Sequence, residues 1–283
     1  MKILVIGSGG MLGHITTLYL AERGYEVYDI SKTKKCRKET TLLDVCNINV
    51  FLEYLQQHHF DVVINCAALL VHASEDNPEM AEILNAKFPH WLESYYKETS
   101  TRIFQVSTAG VFRGDNAPYS ETDICDASGC YNETKMRGEL NNEKDLTIRS
   151  DFWGPNINGA THGLFHWVMA AQGEVAGYSN VVINGVSSLE FAHFVELAIQ
   201  IPLRGIYHLH SEECISKANF IRGICEVFEK TDISIRDVTE PRKNTCLEIG
   251  NKYIQYHTKD YAQQMNDVRE WINNHRDLYL GYF

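Results

Sequence analysis

The first fourteen residues, MKILVIGSGGMLGH, constrain this chain more than any other stretch. Ile3 to Ile6 is an apolar run of strand length. Gly7, Gly10 and Gly13 follow at a spacing of three, and a helical pattern then begins with Leu12, Ile15, Leu18 and Leu20. Strand, glycine turn and helix in that order point to a dinucleotide-binding turn. Gly7 allows the tight turn, Gly10 a close approach of the backbone to a pyrophosphate, and Gly13 close packing of helix on strand. The helix N-terminus, opened by Met11 and Leu12, offers unpaired N–H groups and a positive dipole end to that pyrophosphate.

The rest of the chain supports this start. Strand-like runs at Tyr25–Ile30, Asp61–Asn65 and Ile103–Val106 alternate with helical patterns at Asn47–His58 and Pro78–Lys97, with a kink or break expected at Pro89. Such alternation implies β-α-β units, right-handed crossovers and a parallel sheet. We therefore expect an α/β fold with a Rossmann-type doubly wound sheet over residues 1–154. Its ligand belongs at the carboxyl ends of the strands. Past Asp151 the alternation weakens and Gly, Asn and aromatic residues become frequent. Ser188–Ile199 is helical and is expected to return to the main sheet, so that 187–204 belongs with it. The remainder of 155–283, with a strand at Gly205–Leu209 and helices at Lys217–Glu229 and Asp260–Asn274, is expected to form a smaller C-terminal lobe.

Composition narrows the partners. A net charge of −11 over 283 residues argues against a nucleic-acid surface. No apolar run reaches the roughly 18–20 residues that span a bilayer, and no leader precedes the first strand, so a soluble, cytoplasmic protein is expected. The eight cysteines form no C-x-x-C pair, and no histidine cluster has metal-ligand spacing. Free thiols and no metal are expected. Phe88, Trp91, Trp271, Ile272 and Cys66 read as packing residues, whereas the closing YLGYF, Tyr279 to Phe283, suits docking on a partner subunit, as in a homodimer, or on the body.

Tyr131 and Lys135 stand at i and i+4 in YNETK, on one face of a helix. A phenol with pKa of about 10 is a poor acid or base at neutral pH, and a neighbouring ammonium would lower it. The pair suits proton transfer to or from a carbonyl or hydroxyl oxygen. Thr108, at the end of a strand in VSTAGVFRG, can offer a second hydroxyl to that oxygen.

With these residues the chain resembles the extended short-chain dehydrogenase/reductases that act on nucleotide sugars, and within them the dTDP-4-dehydrorhamnose reductase family. The resemblance rests on Gly7–Gly13, Asp44-Val45, DVVINCAA ending at Ala68, Asn85, STAGVF at Ser107–Phe112, P-Y-x-E-x-D at Pro118–Asp123, YNETKMRGE at Tyr131–Glu139 and IRSDFWG at Ile148–Gly154. It covers about half of the chain. It implies a catalytic set of Thr108, Tyr131 and Lys135. It also implies cofactor contacts from Asp44 and Val45 (adenine), from Ala67, Ala68 and Leu69 (ribose wall), and from Tyr131 and Lys135. Substrate contacts are implied at Thr108, Val111, Phe112, Tyr131 and Trp153. One departure stands out: the rhamnose-forming enzymes follow the catalytic Thr with Asp, and here it is Ala109.

The register of that family puts Ser31 and Lys32 at the end of the second strand, where NAD sites carry a carboxylate. A hydroxyl and an ammonium there would bind a 2′-phosphate, so NADP(H) is the expected cofactor. Asp29, two residues earlier, is the rival that would favour NAD. The implied activity is reduction of the C4 keto group of a nucleotide-linked 4-keto-6-deoxy sugar. An epimerase that keeps its NAD, or an idle binding protein on the same fold, remain alternatives. Ala109-Gly110 stand where the dehydratases carry Asp-Glu, which argues against water elimination.

Overall fold

The structure, a computed structural model, describes residues 1–158, 161–250 and 256–283. The first half supplies six strands in order: β1 (Lys2–Ile6), β2 (Glu26–Ser31), β3 (Thr41–Leu42), β4 (Val62–Asn65), β5 (Arg102–Val106) and β6 (Leu146–Arg149). After β7 (Phe152–Trp153), β8 (Gly173–Tyr178), β9 (Val181–Ile183) and β10 (Val186–Ser187), which lie outside that sheet, β11 (Gly205–His208) rejoins it beside β6. The order is β11-β6-β5-β4-β1-β2-β3, and every pairing is parallel. Strand order reverses between β1 and β4. That is the switch point where doubly wound sheets hold their ligands, outside the carboxyl ends of the strands.

Side-chain alternation builds a core on each face of the sheet. Ile3, Val5, Val62, Ile64 and Phe104 point to one face, under α1 (Met11–Glu22) and a later helix, Ser188–Gln200. Leu4, Ile6, Val63 and Ile103 point to the other, under α2 (Ile48–Gln56). Fully buried Phe51, Phe104 and Phe191 each contribute roughly 1.5–3 kcal/mol relative to exposure.

On that second face lie α3 (Val71–Asp76), α4 (Pro78–Ala81), a π-helical turn at Glu82–Lys87 and α5 (Phe88–Tyr95). The interruption of the long helical stretch thus falls before Pro89. The widened turn ends as α5 begins, and Pro89 sits in the first turn of α5, where its missing N–H costs nothing. α6 (Cys130–Arg137) crosses beside this π turn. Beyond β7 come α7 (Leu164–Ala170), α8 (Ser188–Gln200), β12 (Ile215–Ser216), α9 (Lys217–Val227), β13 (Ile233–Val238), β14 (Lys243–Asn244) and α10 (Tyr261–Asn274). Ser187 caps α8, accepting a hydrogen bond from the Glu190 N–H at 3.0 Å.

A separate core joins Trp153, Phe165, Phe220, Met265, Trp271 and Tyr279, and defines the second lobe. Two expectations change here. The strand expected in that lobe at Gly205–Leu209 belongs instead to the main sheet, because Tyr207 and Leu209 complete its first core. Cys214 and Cys246 are not free: they form a disulfide across 32 residues. Strands β12 and β14 flank β9 and bring the two sulfurs together, a proximity that local spacing does not reveal. Of the closing segment, Tyr279 docks on the body and is fully buried, whereas Leu280 and Phe283 are exposed. Among the described residues no helix is long and apolar enough to cross a membrane.

Candidate active site

The glycine turn is shaped by what has no side chain. Gly7 adopts φ +86°, in the left-handed region. A Cβ on Gly13 would sit 2.2 Å from the Gly7 carbonyl oxygen, so only glycine lets α1 lie this close to the turn. Gly10 caps α1 without a side-chain hydrogen bond, leaving the first amide groups of the helix for a ligand. In front of the turn lies a cleft of about 520 Å³. Gly7, Gly10, Ser31, Lys32, Asp44, Val45, Ala67, Ala68 and Leu69 line it, all of them singled out by the sequence. Met11, Leu12 and Gly13 do not. The Leu12 side chain is buried in the first core, so this turn presents backbone rather than side chains. Gly9, Lys34, Thr161 and His162 also line the cleft and carried no motif that would have marked them.

The two candidate acids near the second strand differ sharply. Asp29 is buried and occupied: Ser8 Oγ donates to it at 2.6 Å and Arg37 Nε at 2.7 Å. It lies beneath the turn and does not line the cleft. Ser31 and Lys32 do. Lys32 Nζ lies 2.8 Å from Asp44 on the exposed rim, and Lys34 Nζ reaches the Asn158 carbonyl at 3.2 Å. The rim therefore carries positive charge above a withdrawn carboxylate.

Tyr131 and Lys135 fall on successive turns of α6. Lys135 is buried and its Nζ donates to the Val106 carbonyl at 2.6 Å, at the end of β5. Burial pulls its ammonium down to about 8, against the carboxylate of Glu139, which raises it. The expected lowering of Tyr131 by Lys135 is absent. Burial pushes the Tyr131 phenol up to about 12, and the negative charge of Asp151 adds to the rise. Desolvation outweighs the ammonium, whose proton is aimed at the Val106 carbonyl. At neutral pH Tyr131 is therefore a neutral phenol, the form that donates a proton.

Thr108 caps the short 3₁₀ turn Ala109–Val111, its Oγ1 accepting from the Gly110 N–H at 3.0 Å. The hydroxyl proton remains free to donate. A Cβ on Gly110 would lie 2.3 Å from Asn132 Oδ1, so this turn rests directly on α6, next to Tyr131. Asn85, buried in the π turn, accepts from the Leu69 N–H at 2.8 Å and donates to Thr134 Oγ1 at 3.2 Å, tying the cleft wall to α6. A buried pair at the foot of α6, Arg149 and Glu139, also holds Ser107 Oγ at 2.6 Å.

Three expected substrate contacts lie in the core. Val111 and Phe112 are fully buried, and Phe112 stacks on Tyr119 with ring centroids 4.2 Å apart. Trp153 is only 2% exposed and packs edge-on against Phe220 inside the second lobe. The side chains of all three pack inward in this structure. Asp151, two residues before Trp153, is a largely buried carboxylate that reading the motif passed over. No group of acidic, histidine or cysteine side chains among the described residues could hold a metal ion.

The first half of the chain matches a known family, and its relatives extend over most of its length. The family described as the RmlD substrate binding domain matches residues 1–149. The chain belongs to that family. It is 26% identical over 275 residues to the probable low-salt glycan biosynthesis reductase Agl14 of Haloferax volcanii, covering 89% of this chain and 91% of that one. It is 27% identical over 222 residues to the dTDP-4-dehydrorhamnose reductase of Salmonella typhimurium, covering 74% and 72%. The solved structure of the Bacillus anthracis dTDP-4-dehydrorhamnose reductase in complex with NADP superimposes with a TM-score of 0.80 at 17% identity, covering 95% of this chain and 99% of that one. At that identity the likeness is one of fold.

Proposed function

We propose that this protein is an NADPH-dependent reductase that converts the C4 keto group of a nucleotide-linked 4-keto-6-deoxy sugar into a hydroxyl. The observation that carries the reading is the meeting of Thr108 and the Tyr131–Lys135 helix at the carboxyl edge of the sheet, beside a glycine-turn cleft. The reductase names of the relatives support the same class of reaction.

The cleft suits NADPH. The uncapped start of α1 suits a pyrophosphate, and Asp44 and Val45 stand where an adenine would lie. Ser31, Lys32 and Lys34 suit a 2′-phosphate, while Asp29, the carboxylate that would repel it, is already bonded to Ser8 and Arg37. When bound, the nicotinamide supplies hydride. The residues of the chain supply the rest. Thr108 donates a hydrogen bond to the carbonyl oxygen and stabilises the developing alkoxide. Tyr131, neutral at physiological pH, delivers the proton. Lys135, anchored on Val106, orients the ribose side of the site. The second lobe, built on α7, α9 and α10, closes over the sugar nucleotide from the far side.

The test is to follow NADPH oxidation with a panel of nucleotide-linked 4-keto-6-deoxy sugars and to identify the product by NMR. A 4-hydroxy sugar formed in step with NADPH consumption is expected. An epimer formed with no net NADPH oxidation would favour the epimerase reading instead.

A further inference from the structure

One ionisable group at the site has no part in the steps above. Asp151 follows β6 directly. The carbonyl of its neighbour Ser150 accepts from the Ala109 N–H at 3.0 Å, which places it beside the turn of Thr108. Its own carbonyl is held by the Val186 N–H at 2.9 Å, and a Cβ on Gly185 would come within 1.9 Å of that oxygen. The backbone at Asp151 is thus fixed on both sides. Its carboxylate receives one side-chain hydrogen bond among the described residues, from Thr245 Oγ1 to Oδ2 at 3.0 Å. A carboxylate offers about four acceptor positions, so most of its capacity is unused.

The surroundings show a group made for a partner rather than for packing. Burial raises its carboxyl, while Thr245, Lys217 and Lys243 oppose the rise. Its charge is felt by the phenols of both Tyr131 and Tyr261. Tyr261 is 7% exposed, and its hydroxyl is buried without a hydrogen-bond partner. A partly exposed carboxylate with unused acceptor positions thus stands beside the Thr108 turn, and the unpartnered phenol of Tyr261 lies within reach of its charge. Leaving such groups unpaired is costly unless a ligand completes them.

We propose that Asp151, steadied by Thr245, is the specificity subsite for a ring hydroxyl next to the carbonyl that Tyr131 and Thr108 hold. The carboxylate accepts the hydrogen bond from that hydroxyl. The inference rests on the reductase reading and names the feature of the sugar that this site reads. A site built to bond a hydroxyl rejects the analogue that lacks it, because its own buried polar group then stays unpaired.

The experiment compares wild type, Asp151→Ala and Thr245→Val with a dTDP-linked 4-keto-6-deoxy sugar and its 3-deoxy analogue. Wild type is expected to prefer the hydroxylated substrate. Asp151→Ala is expected to lose roughly 10–100-fold in kcat/KM on that substrate and to lose little on the analogue. Thr245→Val, which keeps the carboxylate and removes its support, is expected to show a smaller loss of the same kind. NADPH binding, read by fluorescence titration, should be unchanged in both. Equal losses on the two substrates, or no loss on either, would overturn the subsite. Calorimetric titration of the hydroxylated and deoxy 4-hydroxy sugar nucleotides separates this from the wider reading. If wild type binds them with a preference that Asp151→Ala abolishes but reduces neither keto sugar, the subsite stands and the reductase reading fails.

Discussion

The glycine-turn cleft and the side of the molecule built around α6 follow opposite principles. The glycine-turn wall is braced from behind: backbone N–H groups of Gly7 and Ser8 both meet the Ile30 carbonyl, Asp29 is bonded to Ser8 and Arg37, and only the first amide groups of α1 are left open. The side built around α6, which does not line that cleft, keeps groups in costly states. Tyr131 is driven to about 12 and Lys135 to about 8, and the hydroxyls of Tyr261 and Ser188 are buried without partners. Such tension persists only where the surrounding fold over-determines it, and it concentrates at functional sites. The difference separates a wall that holds, at the glycine turn, from a wall that reacts in the proposed function, around α6.

The largest expected effect tests the reacting wall. Tyr131→Phe keeps the ring and removes the proton donor. It should lower kcat roughly 10²–10⁴-fold while NADPH affinity stays nearly constant. A variant with wild-type turnover would show that the phenol takes no part.

A smaller effect tests how the holding wall is braced. His14 Nδ1 bonds the Gly10 carbonyl at 2.7 Å, its Nε2 meets Tyr279 Oη at 2.8 Å, and Trp271 Nε1 donates to the same hydroxyl at 2.9 Å. Tyr279, near the C-terminus, thus braces the glycine turn. Tyr279→Phe leaves two buried nitrogens unpaired and should cost about 1–3 kcal/mol, read from chemical denaturation. The brace also has a pH signature. Burial lowers His14 to about 4 from its ordinary 6.5. A depressed histidine contributes stability that is complete above pH 6.5 and is lost as pH falls towards 4, since only the unfolded chain takes up the proton in that window. Wild-type stability that is flat across it would contradict the buried neutral imidazole.

The smallest effect lies on the exposed rim. Lys32→Ala breaks a surface pair with Asp44 worth about 0–1 kcal/mol, so the melting temperature should barely move. NADPH affinity should fall roughly tenfold and NADH affinity should not. A parallel loss for both cofactors would remove Lys32 from the 2′-phosphate site.

The two walls were also unequally legible in the sequence. The holding wall is contiguous. Gly7 to Gly13, Ser31-Lys32, Asp44-Val45 and Ala67-Ala68 sit at strand ends, where local pattern and parallel topology determine position. The reacting wall is assembled from distant segments. Asp151 and Thr245 lie 94 residues apart and meet through β7, β10 and β14, each two residues long. Pattern cannot mark such short strands. The same limit hid the Cys214–Cys246 pair. The resemblance marked Val111, Phe112 and Trp153, whose side chains turn into the core, a depth that sequence does not show. The upward shift of Tyr131 was beyond reach, since spacing shows the neighbouring lysine but not the depth of burial.

The most direct measurement is isotopic. NADPH carrying deuterium at the transferable position is supplied with a nucleotide-linked 4-keto-6-deoxy sugar, and the product is examined by NMR. Hydride transfer to the sugar puts one deuterium at C4 of a 4-hydroxy product. Product with no deuterium at C4, or an epimerised keto sugar with the labelled NADPH unspent, would contradict it.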